Sequence, residues 1–183
     1  LLTLPLPAGG DALVQISGTP PGCVLVPGSA KVGPTGSNPP VGASFPLGVF
    51  EFSATACANA NLKVAITYPQ ALTGMQLQKF GPATPGQPAT WFAPPGLALS
   101  NGDMTVSYTV ADNGAGDNNP AAGDIADPFS PMAIAAPPGP GTGTGPGTGT
   151  GTVTPVPTLG HWAMLMLAAM AAALGWRGLR ARQ

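Results

Sequence analysis

The chain has 183 residues, with six Lys+Arg against seven Asp+Glu and a formal net charge of −1. Charge this sparse supplies no basic patch, which argues against nucleic-acid binding through phosphate neutralisation. Gly and Pro number 27 and 24, a composition of either low-complexity chain or a loop-rich all-β fold; both readings apply, to different segments.

The sequence starts at Leu1 with no charged run leading into an apolar core, so a processed or truncated N-terminus is expected. From about Ala12 to Asp127, short alternating apolar runs are punctuated by Pro, Gly and Asn. In "VFEFSA" Phe50 and Phe52 share a face and Glu51 takes the other. "NLKVAIT" points Leu62, Val64 and Ile66 inward and Lys63, Ala65 and Thr67 outward. "MTVSYTV" does the same with Met104, Val106, Tyr108 and Val110 against Thr105, Ser107 and Thr109. A period of two with β-branched residues on the wet side marks half-buried strands. "ALVQIS", "CVLV", "MQLQKF" and "TWFA" carry shorter, less regular versions. No stretch before Pro155 keeps a helical period free of Pro or Gly. Without crossover helices the strands must pair antiparallel, and turn signals at this density predict an all-β antiparallel β-sandwich. Residues 1–136 form this expected extracellular domain, with its core at about 12–128. Cys23 and Cys57 are the only cysteines. They read either as one disulfide, if the compartment is oxidising, or as two buried thiols.

Residues 137–155, "PPGPGTGTGPGTGTGTVTP", carry no charge and no large apolar residue before Val153. Such a segment buries too little to offset its ordering entropy and is expected to be a flexible, disordered Gly/Thr/Pro linker. Residues 156–183 close the chain. Val156 to Trp176 contains no charged side chain, and as a helix would span about 31 Å, close to a hydrocarbon core. Trp162 and Trp176 stand where interfacial rings belong, and all three arginines, Arg177, Arg180 and Arg182, follow. By the positive-inside rule this is a single C-terminal transmembrane helix with a cytoplasmic C-terminus and the domain outside. The competing reading, a helix docked on the soluble core, conflicts with apolar residues all round the helix.

"VPTLGHWAMLML…WRGLRAR" resembles the IPTL-type C-terminal sorting signal of Gram-negative bacteria. Pro157, Thr158, Leu159 and Trp162 match in order and spacing, and Val156 stands for Ile. Gly160 and His161 replace the usual Ser-Glu, and Ala163 the usual Gly. The resemblance implies an exosortase-type membrane peptidase as partner, removal of the helix and transfer to the cell surface. Within the domain, "FPLGVFEFSATAC", "VAITYPQAL", "KFGPATPGQPATWF", "MTVSYTVADNGAGDNN" and "GDIADP" occur in that order. Together they resemble the choice-of-anchor U family, bacterial surface domains found with different C-terminal anchors. That likeness implies a location and a β-rich module, and no activity.

One segment has the composition of a site. Asp112, Asp117, Asp124 and Asp127 are four of the seven acidic residues, and Asn113, Asn118 and Asn119 add amide oxygens among Gly114, Gly116 and Gly123. Calcium takes six to eight such oxygens on flexible loops, so Asp112, Asp117, Asn119, Asp124 and Asp127 are candidate Ca²⁺ ligands. The spacing is not that of an EF-hand. The alternative is a polar loop built of Asx turns, since Asp, Asn and Gly favour turns for local reasons. No other cofactor is implied.

Catalysis finds little support. The one histidine, His161, lies in the sorting motif, which leaves the domain none for a Ser-His-Asp or Cys-His arrangement. There is no HExxH, P-loop or dinucleotide fingerprint. Glu51 is the sole Glu, so a carboxylate pair for glycoside hydrolysis is a weak fit. Trp91, Phe92 and Tyr108 read as core, or alternatively as a sugar-binding face. The expectation is a non-catalytic structural or adhesive module at a bacterial cell surface. The alternatives are a Ca²⁺-dependent module binding surface polysaccharide or matrix and, third, a hydrolase with a carboxylate site.

Overall fold

The computed structural model of the protein describes residues 1–135. The expected linker and terminal helix, and with them Val156 to Arg182, lie outside the described residues. Every described element is a strand, and every pairing is antiparallel. The first sheet runs in the order β1 (Leu2–Pro5), β2 (Asp11–Ser17), β7 (Asn61–Thr67), β11 (Thr105–Ala111), β10 (Ala98–Ser100). The second runs β3 (Val24–Leu25), β6 (Val49–Thr55), β12 (Ile125–Ile134), β8 (Gln76–Pro82), β9 (Ala89–Phe92). Two short strands complete it: β4 (Lys31–Gly33) pairs with β6, and β5 (Ala43–Ser44) with β12. The strands thus reach from Leu2 to Ile134, beyond the expected core of 12–128 at both ends.

The alternation in the sequence sets which face each residue takes. Leu62, Val64 and Ile66 of β7 are buried, as are Val106, Tyr108 and Val110 of β11. The register lays Val106 against Ile66 and Tyr108 against Val64, so these side chains form one apolar surface. The second sheet answers with Phe50, Phe52 and Ala54 of β6 and Ile125 and Phe129 of β12, in the same continuous core. Tyr108 and Phe129 stack across the two sheets with ring centroids 4.7 Å apart. Two facing sheets that share one core make a sandwich.

The second sheet has a covered outer face as well. Phe80 packs on Trp91 at 5.4 Å and Trp91 on Phe45 at 5.5 Å, while Trp91 Nε1 donates to the Ser37 carbonyl at 2.8 Å. The turn at Gly36 comes so close to the Trp91 ring that a side chain there would overlap it. Trp91 therefore holds the 34–48 loop on the sheet, and Tyr108 belongs to the core.

The strand β12 carries two prolines although it lies between β6 and β8. Each missing N–H falls where no partner is needed. Ala126 N–H points away from β6, so by alternation the Pro128 nitrogen does too, one residue before the β8 pairing begins at Phe129. Pro131 faces the other side, between the end of the β6 pairing at Phe129 and the start of the β5 pairing at Ala133.

Candidate functional site

The loop from Asp112 to Asp124 joins β11 to β12 and closes one end of the sandwich. Its acidic residues act mainly on backbone. Asp117 is buried, and its Oδ1 accepts from the Asn119 and Ala126 N–H groups at 3.0 Å each, its Oδ2 from the Asn113 N–H at 2.9 Å. With the Asn118 N–H donating to the Ala126 carbonyl at 2.8 Å, the loop stands in for a neighbouring strand where β8 does not reach. Burial raises the Asp117 carboxyl above its ordinary range, against the pull of the three N–H donors; the nearby Asp112 charge adds to the rise.

Asp112 ties three segments together. Its Oδ2 accepts from the Asn59 N–H at 3.0 Å, in the β6–β7 turn, and its Oδ1 from the Gly123 N–H at 2.8 Å. The Asn113 side-chain amide also donates to Oδ1, at 3.2 Å. Beside this knot Cys57 N–H donates to the Gly123 carbonyl at 2.7 Å. Cys23 and Cys57 are joined in a disulfide that closes a separation of 34 residues. Closing a loop of that length stabilises by about 4 kcal/mol in the chain-entropy description. The β3–β6 pairing, Val24 against Thr55, brings the two cysteines to the same end.

Among the described residues no group of three or more His, Cys, Asp or Glu is placed to hold a metal ion. Asn119 uses its side-chain oxygen on the Ala121 N–H at 3.0 Å. Asp127 is not in the loop at all: it sits on β12 with Ile125 and Phe129 on either side, facing the interior.

There it meets a residue that sequence reasoning passed over. Lys79 of β8 lies fully buried, its Nζ 2.8 Å from Asp127 Oδ1. Tyr108 Oη donates to Asp127 Oδ2 at 2.9 Å, and the Lys79 Nζ lies 5.1 Å from the Tyr108 ring centroid. Burial, helped by the Asp127 charge, pushes the Tyr108 hydroxyl far up, so it stays a donor. Burial also raises the Asp127 carboxyl, opposed by Lys79 and by the Tyr108 hydrogen bond. Beyond their mutual contact, Lys79 Nζ and Asp127 Oδ1 have no hydrogen-bond partner. Gly116 shuts the lysine in: a Cβ there would come within 2.7 Å of Lys79 Cε and 3.1 Å of Phe92 Cζ. The glycine also has φ +79°, which disfavours any side chain. The sequence carried a signal only when both segments were read together as strands. In "QLQKFGP" and "IADPF" strand alternation puts one lysine and one aspartate on inward positions, and opposite buried charges call for each other.

The loop also lines an open pocket of about 490 Å³ between Asn113, Asp117 and Asn119 on one side and Pro82, Pro85 and Gln87 on the other.

Residues 154–182 match the IPTL-CTERM motif. The chain thus carries a C-terminal sorting signal, which indicates export to the cell surface. No curated protein and no solved structure matches the chain.

Proposed function

We propose that this protein is a non-catalytic display module of a bacterial surface, sorted through a cleavable C-terminal signal. The observation that carries the reading is the IPTL-CTERM match at residues 154–182, behind a sandwich in which Asp112 and Asp117 are spent on holding the backbone of their own loop. In this reading the tail inserts as a helix, Arg177, Arg180 and Arg182 keep its end in the cytoplasm, and a membrane peptidase of the exosortase type recognises the Val156–Trp162 motif and removes the helix. The domain, akin in its motifs to choice-of-anchor U modules, then stands clear of the membrane on its Gly/Thr/Pro tether. There it serves as a structural or adhesive surface, with surface polysaccharide or matrix as the chemical class of partner.

Mass spectrometry of the protein from its host tests the sorting. A mature form that has lost Trp162 to Gln183 is expected, with Pro157→Ala/Thr158→Ala left uncut in the membrane fraction. A mature form that keeps Gln183 would reduce the signal to a plain anchor. For the loop, we take backbone bracing over calcium binding because Asp112 and Asp117 each already accept several N–H bonds. Calorimetric titration with Ca²⁺ should give no saturating heat; a heat lost in Asp124→Asn would reverse that choice.

A further inference from the structure

We propose that Lys79 and Asp127 form an intramolecular isopeptide bond, a covalent strut between β8 and β12. Three features of the geometry point to it. The amine nitrogen and the carboxyl lie in contact, Nζ to Oδ1 at 2.8 Å, with both side chains wholly shielded from solvent. A hydrogen-bond donor is fixed on the other carboxyl oxygen, Tyr108 Oη on Oδ2 at 2.9 Å. Neither Nζ nor Oδ1 has another partner to satisfy it, an unusual arrangement for a buried pair kept only as an ion pair, which needs further hydrogen bonds to offset its desolvation.

The chemistry balances with no co-reactant. A proton passes from the ammonium to Oδ1, leaving a free amine and a carboxylic acid. Nζ attacks Cγ, and charge develops on Oδ2, where the Tyr108 hydroxyl is already aimed, as a single-donor oxyanion site. The Cγ–Oδ1 bond then breaks. The oxygen takes a second proton from nitrogen and leaves as water. The products are one secondary amide and one water, with no change of oxidation state. Proximity supplies much of the barrier reduction, because fold and register hold the reactants in contact. Gly116 and Phe92, packed over the lysine, keep water from returning to reverse the step.

Placement gives the bond a use. Strand β12 is the last described strand, and a tether to the surface would pull on it. A bond from Asp127 to Lys79 stops that pull from peeling β12 off its neighbour. The mechanical role rests on the surface-display reading; the chemistry does not.

The test uses the full chain, purified from its folded, cooperatively melting fraction, then reduced and weighed. The expected protein is lighter than its sequence by one water. Trypsin should fail to cut after Lys79, the Val64–Lys79 peptide should be missing, and fragmentation should place the loss between Lys79 and Asp127. A succinimide cannot imitate this at Asp127, because Pro128 has no amide N–H to attack the carboxyl. Asp127→Asn should give the same linked product by loss of ammonia. Lys79→Arg should restore the full sequence mass. Tyr108→Phe should fold and show a slower rise of the linked fraction. A folded wild-type chain at its full mass, with Val64–Lys79 released in full yield, overturns the proposal. So does a water lost elsewhere in the chain. Neither result depends on whether the tail is cut.

Discussion

The two sheets bury their inner faces by different means. In the first, β7 and β11 present Leu62, Val64, Ile66, Val106 and Val110, all apolar and all buried. In the second, β12 and β8 put Asp127 and Lys79 at equivalent inward positions, and β12 adds two prolines. The first sheet relies on removing hydrocarbon from water, a diffuse and forgiving source of stability. The second adds to its own buried Phe50, Phe52, Ile125 and Phe129 a polar constellation, completed by Tyr108 of the first, whose members are costly when separated. One core can thus combine a part that tolerates exchange with a part that does not.

The largest effect should come from breaking the polar constellation on one side. Asp127→Ala leaves Lys79 buried without its partner and the Tyr108 hydroxyl without its acceptor. It should destabilise by about 3–5 kcal/mol, or more where a covalent link is lost as well. Lys79→Met combined with Asp127→Leu removes the stranded charge, so denaturant unfolding should place the double variant between Asp127→Ala and wild type. A double variant no better than the single one would mean that stranded charge is not what the single variant suffers from. On the other sheet, Ile66→Ala should cost about 2–5 kcal/mol through lost burial and a residual cavity, and Ile66→Val only about 1 kcal/mol. A graded response there and an all-or-none response at Asp127 is the expected contrast. Equal responses to conservative changes at both sites would erase it.

How far each sheet can be read from sequence follows the same division. In "NLKVAIT" and "MTVSYTV" the buried inward positions are hydrophobic, with Tyr108 alone carrying a polar tip, so the period of two states the face and the pairing follows. Strand β8 hides in "MQLQKF" because lysine is ordinarily a surface residue, and its inward position shows only when matched with the inward Asp127 far along the chain. Asp127 in turn looks like one more acid of the Asp/Asn/Gly loop, since composition does not reveal that a strand starts at Ile125. Prolines in "IADPFSPM" argue against a central strand. What permits them is where the β6, β8 and β5 ladders begin and end, which is a tertiary fact. The loop carboxylates were visible as a cluster, but a cluster of acids fits either a cation or a set of backbone donors. Only the positions of the Asn59, Asn113, Asn119, Gly123 and Ala126 N–H groups distinguish the two.

The smallest expected effects lie at Asp117, where burial and hydrogen bonding oppose each other. Asp117→Ala would leave the Asn113, Asn119 and Ala126 N–H groups without their acceptor, at a cost of about 1–3 kcal/mol. The pH response separates the two influences more finely. Burial outweighs the three donors and raises the carboxyl in the folded state. In the window from the ordinary aspartate value up to that raised value, the folded chain therefore binds more protons than the unfolded chain. Stability from this group is fully present below the window and is lost as pH climbs through it, the reverse of ordinary acid denaturation. Asp127 is raised in the same direction, but a carboxyl bonded to Lys79 has no proton to exchange, so the linked protein lacks that contribution. The thermal midpoint should hold or rise slightly on acidification from pH 7 toward pH 4, and Asp117→Asn should flatten the profile. A midpoint that falls over that range, and stops falling in Asp117→Asn, would mean that three backbone N–H groups hold the charged form more strongly than burial opposes it.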